Sequence, residues 1–360
     1  MAFSLGNKIQ MSVEGASHSE YIEVRIKGLP KGFKVNTDEV LKLLKRRQGG
    51  GSFYTTPRKE ADEPIIVSGM ENNTLTGEEL VARFINSNVK KSDYGNLKVI
   101  PRPSHADYVA YVKYKGKMDM SGGGFFSGRM TLPLCFAGAI CKQILEEKGI
   151  KINAHISSIG GIDDDRYDPV SESAEKCSES ELPVLSKDAG DKMLKLLKEV
   201  SADGDSIGGS VECKITGVPV GLGDPIYDSI ESTISFGMFG IPAIKGIEFG
   251  QGFGVLHQRG SKSNDQFCIE NGRIRCKTNN SGGIQGGISN GMPIIFNVAV
   301  KPTPSISKPQ QSVDLKTMEE VPLTIKGRHD ACIVPRVVPC VEAMCALVML
   351  DLMFLFEYPI

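Results

Sequence analysis

The sequence predicts an α+β fold built as one domain. Three observations carry this. Strand-like alternation and helix-like periodicity are mixed along the chain, without the strict strand–helix–strand order of a parallel α/β sheet. Two distant segments, EVRIKGLPKG (23–32) and ECKITGVPVG (212–221), both read as a strand, then Gly-apolar-Pro-x-Gly, then a helix. Hydrophobic residues make up 40% of the 360 residues and charged ones 24%, the balance of a chain that buries a sizeable core. The echoed unit suggests two pseudo-repeated halves, 14–150 and 190–356, within a single domain 1–360; common turn chemistry produces such an echo equally well.

The elements follow in order. Tyr21 to Lys27 alternates like a strand and stops at Gly28-Leu29-Pro30. Thr37 then caps a helix, with Asp38 and Glu39 in its first turn, Val40, Leu41, Leu43 and Leu44 on its apolar side, and Lys45, Arg46 and Arg47 in its last turn. Gly49-Gly50-Gly51 ends it. Further helices are expected at 77–88, 132–148, 188–201, 224–238 and 339–356, and strands at 64–68, 108–114, 152–158, 209–215, 243–249 and 293–300. The acidic, serine-rich segment 163–185 reads as a surface excursion, and the proline-rich segment 301–320 as a long loop, ordered or mobile, of a length that is often functional.

Charge and cysteine usage exclude several functions. Lys and Arg number 42 against 43 Asp and Glu, a net charge of −1, so no basic field exists to hold nucleic acid. The apolar run 337–350 is interrupted by Glu342 and reads as a buried helix, so no membrane association is expected. The nine cysteines contain no CxxC pair, and the N-terminal MAFSLGNKIQ lacks the apolar core of a signal peptide. Reduced thiols in a cytoplasmic protein, and no metal centre, are expected. Asp163-Asp164-Asp165 reads as a solvated acidic loop, and Cys135 and Cys141 as packing residues of one helix. GDSIG (204–208) mimics a nucleophile elbow, but a helix precedes it and a strand follows, the reverse of what that turn needs. GQGFG (250–254) lies in no strand–helix–strand unit and reads as a turn.

Three histidines keep company that suggests an anion site. His18 lies in GASHS, His105 in RPSHAD beside Arg102 and Asp107, and His329 in GRHD between Arg328 and Asp330. Arginine presents a fork that matches phosphate and carboxylate, and histidine exchanges a proton near neutral pH. Glycine clusters add to this. Forty glycines exceed the share of about 7% in an average chain. SGGGFFSGR (121–129) leads into a helix, and turns of this kind gather backbone amides around an anion. SGGIQGGIS (281–289) and KPTPS (301–305) offer more amides, hydroxyls and a lysine. Singly, each is better explained as a tight turn or a surface residue; together they fit a phosphorylated cofactor and an anionic substrate.

At this point the order of motifs becomes specific. RRQGG, SGMENNTLTG, RPSHAD, GGGFFSGR, GDSIGGSVE, GVPVGLGDPIYDSIES, KGIEFGQGF, NNSGGIQGGISNG, KPTPSI and GRHDACIVPRVVPCVEAM resemble, in that order, the chorismate synthase family. The resemblance implies a β-α-β sandwich, usually a homotetramer. It implies the last step of the shikimate pathway, a 1,4-anti elimination of phosphate from 5-enolpyruvylshikimate 3-phosphate, with reduced FMN required although the reaction has no net redox change. It also assigns residues. His18 matches the histidine that protonates the flavin, His105 the one that protonates the leaving phosphate, and Asp330 an acid near the flavin N5. Arg47, Arg102 and Arg129 match substrate arginines. Ser127, Pro242, Ala243, Gly286, Lys301, Pro302, Thr303, Pro304, Ser305 and Arg328 match flavin positions.

The sequence departs from the family at Ala16, where a glutamate is usual, at Phe53, an arginine position, and at Ser121 and Phe125 in the glycine motif. These departures leave a non-catalytic or weakly active flavin-binding relative as the alternative. Some members also reduce FMN with NADPH. No dinucleotide fingerprint occurs here, so a lyase fed by an external flavin reductase is expected, with a bifunctional, NADPH-using enzyme as the other reading.

Overall fold

The structure, a computed structural model, describes residues 3–56, 60–86, 99–119, 121–173, 177, 181–325 and 329–356. Ile22, Val24 and Ile26 of the strand Tyr21–Lys27 are fully buried, and this strand anchors the N-terminal sheet. It pairs antiparallel with Gln10–Gly15 on one side and Leu80–Ile85 on the other, with Val24 opposite Val13 and Ala82. Phe3–Leu5 and Ile65–Ser68 form the two edges of these five strands. The second five-stranded sheet runs Ile244–Phe249, Ile294–Val300, Gly209–Thr216, Lys151–Ile159 and Ile162–Asp163 in spatial order, again antiparallel.

Seven helices are described: α1 (Thr37–Arg47), α2 (Asp107–Lys113), α3 (Thr131–Glu147), α4 (Lys187–Ala202), α5 (Ile230–Phe239), the single turn α6 (Gly260–Ser263) and α7 (Val334–Leu355). Helix α3 packs on Tyr21–Lys27 of one sheet and Lys151–Ile159 of the other, and α7 packs on α3 and on the second sheet. The layers are therefore sheet, helices, sheet. From Val334 to Met353 every residue of α7 except Arg336 is buried. A helix apolar all round belongs in a core or a bilayer, and this one is in the core. Helices α3 and α7 touch at Gly138, where an added Cβ would lie 2.4 Å from the Ala343 Cα.

Two carboxylates on α7 tie the layers together. Glu342 is buried and held by Arg46 of α1 at 2.7 Å and Lys142 of α3 at 2.8 Å. Burial alone would raise its pKa, but those two cations pull it down to about 2. Asp351 accepts the backbone N–H groups of Asn7, Lys8 and Ile9 at 2.9, 2.7 and 2.8 Å, which anchors the chain's start to its last helix.

The echoed segments occupy matching places. Each supplies the third strand of its sheet, Tyr21–Lys27 and Gly209–Thr216. Each strand ends at a glycine with positive φ, Gly28 at +86° and Gly217 at +78°, and a Cβ there would sit 2.0 Å from the Lys8 carbonyl oxygen and 2.2 Å from that of Gly149. The shared Gly-apolar-Pro turn thus answers one steric demand twice.

Several elements differ from the sequence reading. The helix expected at 77–88 is the strand Leu80–Ile85, paired with Tyr21–Lys27 and with Leu80, Ala82 and Phe84 fully buried; its last two residues, 87–88, lie outside the described set. The strand expected at 108–114 is α2, with Tyr108, Val109, Tyr111 and Val112 exposed and Asp107 and Ala110 buried. Asp107 in the first turn suits a helix start. Asn36, not Thr37, caps α1, its side chain accepting from the amides of Asp38 and Glu39. Helix α5 begins only at Ile230 behind the Ser229 cap, and α7 begins five residues earlier than expected, with Pro335 in its first turn. The 301–320 segment folds back as the hairpin strands Gln310–Asp314 and Glu319–Leu323. Within 163–185, Asp164 and Tyr167 are buried rather than on a surface excursion. Ser206 donates its hydroxyl to the Thr303 carbonyl at 2.7 Å and has no part in a nucleophile elbow.

Candidate active site

The glycine turn 121–126 builds the site. Gly122, Gly123 and Gly124 have φ of 61°, 86° and 54° in succession, a path that L side chains resist. A Cβ on Gly122 would lie 2.0 Å from His18 Cε1, and one on Gly123 would lie 3.6 Å from His105 Nε2. Bare backbone therefore lets two histidines from distant segments approach one turn. Ser127 follows and caps the next turn, its hydroxyl accepting from the Arg129 amide at 3.3 Å.

Beside this turn lies a cavity of about 630 Å³. His105, Asp330, Arg47 and Ser127 line it. So do Pro242 and Ala243, which precede the edge strand Ile244–Phe249, and Lys301, Thr303, Pro304 and Ser305, which follow the strand Ile294–Val300. Ala243 holds a positive φ of 75°. The two adjacent strands of the second sheet thus deliver both lining segments to one wall.

His105 is held from behind. Its Nδ1 lies 2.7 Å from Asp107 Oδ1, and Asp107 receives Arg102 through Nε at 2.7 Å and Nη2 at 2.8 Å. Arg102 also reaches the Ser305 hydroxyl at 3.2 Å, joining this network to the cavity wall. The carboxylate fixes the proton on Nδ1, which leaves Nε2 toward Gly123 without a hydrogen-bond partner among the described residues. Burial, helped by Arg102 and Lys301, outweighs Asp107 and keeps the ring below the ordinary histidine pKa. Asp107 is itself held far below the carboxylate range: Arg102 and His105 overcome its burial.

A second cluster lies next to it. Asp62, buried, accepts from Arg47 at 2.6 Å and from Arg129, which also meets Glu60 at 2.6 Å. Arg129 Nε donates to Asn86 Oδ1 at 2.9 Å. The guanidinium of Arg129 is therefore enclosed by acids and an amide and does not line the cavity, although its neighbours Gly128 and Thr131 do. Asn86 continues to the His18 loop, donating to the carbonyls of Ser19 at 2.8 Å and Ala16 at 3.2 Å. The Ser19 hydroxyl accepts from the Ala16 amide at 2.9 Å, so hydrogen bonds shape this loop where a carboxylate at position 16 is missing. His18 is half-buried, with Nδ1 3.2 Å from the Ser17 hydroxyl.

Asp330 accepts from the Thr56 amide at 2.9 Å and from Arg336 at 2.7 Å, which points its carboxylate at the cavity from the start of α7. His329, its neighbour, has Nε2 3.4 Å from the Ile325 carbonyl. Pro302 lies against Gly208, and Gly286 sits in the turn between Ile284–Gln285 and Ile288–Ser289; neither lines the cavity. Arg328 lies outside the described residues.

Four contributors have roles that the sequence does not show. Lys245 and Arg336 line the cavity, as does Cys340, while Asp107 orients His105. Arg336 and Cys340 stood within the quoted GRHDACIVPRVVPCVEAM motif, and Asp107 within RPSHAD, so only their roles were missing. Lys245 carried no signal, because one lysine on an edge strand looks like a solvated residue. Lys245 has no carboxylate partner among the described residues, and Lys301 donates to the Ser104 carbonyl at 2.9 Å. Burial lowers the Lys301 pKa, and Lys245 lowers it further. The described residues hold no cluster of metal ligands.

Comparison with known proteins gives the family. The family model for chorismate synthase matches residues 9–354. The chorismate synthase of Dehalococcoides mccartyi is 43% identical over 352 residues, covering 98% of this chain and 96% of that one. That of Thermococcus gammatolerans is also 43% identical, over 96% of each chain. A crystal structure of chorismate synthase superposes with a TM-score of 0.77 at 28% identity, covering 98% of this chain and 93% of that one. With the motifs in order, the sheet–helix–sheet layers and matches over nearly its whole length, the chain belongs to the chorismate synthase family.

Proposed function

We propose that this chain catalyses the elimination of phosphate from 5-enolpyruvylshikimate 3-phosphate to give chorismate. One observation carries the reading. His105, Asp330, Ser127, Thr303, Pro304 and Ser305, scattered in sequence, line a single cavity together with Lys245 and Lys301. The substrate carries about four negative charges and the FMN phosphate about two more. A chain of net charge −1 answers them by concentrating Lys245, Lys301 and Arg47 on one cavity.

The residues present fit reduced FMN. The Ser127, Thr303 and Ser305 hydroxyls and the Lys301 ammonium suit its phosphate and polar edge, while Pro242 and Ala243 offer an apolar face. When bound, the reduced flavin supplies transient reducing power to the elimination. His105 protonates the departing phosphate through Nε2, while Asp107 keeps its Nδ1 proton in place and Arg102 fixes Asp107. An arriving phosphate dianion raises the ring's proton affinity and so arms it. His18, which approaches the glycine turn at Gly122, and Asp330, on the cavity wall, would hold the proton that a bound flavin exchanges. Arg47 meets the substrate from the cavity wall. Arg129 acts on it through Asp62, which holds both guanidiniums.

On this reading the chain is one domain of two pseudo-repeated halves, works in the cytoplasm as a homotetramer, and receives reduced FMN from an external flavin reductase. An anaerobic assay with chemically reduced FMN tests it. Chorismate should form without NADPH. Tight FMN binding with no chorismate would leave a non-catalytic relative. Turnover of oxidised FMN that needs NADPH would make the enzyme bifunctional.

A further inference from the structure

The cavity wall carries a thiol that the elimination does not use. Cys340 of α7 lines the cavity, and its Sγ lies 3.7 Å from that of Cys135 on α3, both cysteines being reduced. The helix crossing explains this closeness. Helices α3 and α7 touch at Gly138 and Ala343, and each cysteine stands three residues, about one turn, before its contact residue. Both are buried, yet only Cys340 lines the cavity.

The two sulfurs are chemically unlike. Cys135 directs its S–H at Cys340 Sγ, and Arg47 and Arg336 favour negative charge there. Against burial, these lower the Cys340 thiol, while burial and Cys340 push Cys135 up; Cys340 in turn directs its own S–H at the Arg336 carbonyl at 3.3 Å. A sulfur open to a cavity and near two guanidiniums, with a second thiol 3.7 Å behind it, is the arrangement of a reactive cysteine and its resolving partner.

We propose that Cys135 and Cys340 form a reversible disulfide when hydrogen peroxide enters the cavity. The Cys340 thiolate attacks one peroxide oxygen; the O–O bond breaks, and hydroxide leaves and takes a proton as water. Cys340 is then a sulfenic acid. The Cys135 sulfur attacks it, the S–O bond breaks, and a second water leaves. Two thiols have lost two electrons and two protons, and one peroxide has become two waters. A dithiol reductant reverses the bond by exchange. The sulfurs close from 3.7 Å to about 2.05 Å, a movement that two side chains facing each other can supply.

A neighbouring pair provides an internal comparison. Cys213 on the second sheet interacts with Cys345 of α7, but neither lines the cavity, and burial pushes the Cys213 thiol well up. That pair should stay reduced under the same exposure.

The test is thiol mapping of the whole native protein. The protein is exposed to a few equivalents of hydrogen peroxide, its free thiols are alkylated, and it is digested without reductant. A crosslinked Cys135–Cys340 peptide, two hydrogens lighter than the reduced pair and lost on dithiothreitol treatment, is expected. In Cys135→Ala the crosslink should vanish and Cys340 should instead be labelled by dimedone, a sulfenic acid reagent. Recovery of Cys135 and Cys340 as free thiols after peroxide, or a bridge formed first between Cys213 and Cys345, would overturn the proposal. Should Cys135→Ala fail to fold, the wild-type map alone decides.

Discussion

His105 and Asp107 meet in one close contact, ring Nδ1 to carboxylate Oδ1 at 2.7 Å, with Asp107 pinned in turn by both nitrogens of the Arg102 fork. The carboxylate therefore governs which ring nitrogen faces the cavity. Asp107→Asn keeps the shape and removes the charge. We expect kcat to fall by about 10²-fold, the scale of general acid catalysis, with FMN affinity nearly unchanged. Equal kcat in mutant and wild type would mean that the ring needs no orienting partner.

The same contact predicts a pH dependence. Burial holds the free His105 ring below its ordinary pKa, and an acid catalyst must be protonated. In kcat/KM, which reports the free enzyme, activity should decline above that depressed pKa, below the ordinary value of about 6.5. In kcat, which reports the substrate complex, the decline should come at higher pH, because the phosphate dianion favours the imidazolium. Coincident declines would contradict this.

Asp62 joins Arg47 and Arg129 in a buried cluster. Both guanidiniums outweigh its burial and hold its pKa low, so its stabilisation is present above the unfolded carboxylate value and is lost as pH falls through the depressed one. Asp62→Ala leaves two buried cations short of a partner and should cost about 3–5 kcal/mol. Thermal unfolding checks this; an unchanged melting temperature would mean that the cluster is not closed as described.

His155 works in the opposite direction. Its ring is buried with Nδ1 3.0 Å from Asp164 and Nε2 3.0 Å from Glu212, while Tyr167 packs edge-on at 4.5 Å, Arg166 binds Glu212, and Lys214 lies over Tyr167. Burial alone would depress the ring, but the two carboxylates outweigh it and raise its pKa. The resulting stabilisation is fully present below the ordinary histidine value and is lost as pH rises through the raised one. Melting temperature should thus decline on the alkaline side, and His155→Gln should lower it near neutrality and flatten that decline. Parallel curves for the two proteins would remove His155 from the pH response.

Ligands should order only part of the 301–320 segment. Residues 310–314 and 319–323 are already paired as a hairpin, whereas Lys301, Thr303, Pro304 and Ser305 line the cavity. Amide exchange at 301–309 should slow when FMN and substrate bind, with little change in the hairpin. Uniform exchange with binding verified would count against a clamp.

What the sequence showed, it showed through local chemistry. The central helices were legible because Leu132 to Cys141 and, Glu342 apart, Val337 to Leu350 are apolar on every face, and the site was legible because its glycines, histidines and arginines stand in ordered motifs. The errors are tertiary. LVARFI reads either way until Tyr21–Lys27 offers it a ladder, and DYVAYVK carries strand-forming residues but hangs by Asp107 and Ala110 on an exposed helix. No local pattern could show that Arg129 would be enclosed by Glu60, Asp62 and Asn86, or that Lys245 and Cys340 would reach the cavity.

On the proposed mechanism His105 delivers a proton inside the cavity beside Gly122 and Gly123. The most direct measurement is turnover of His105→Asn beside its FMN dissociation constant, both taken anaerobically with reduced flavin. We expect kcat to fall by about 10²-fold or more with FMN affinity within a few-fold of wild type. Wild-type turnover in His105→Asn would contradict it.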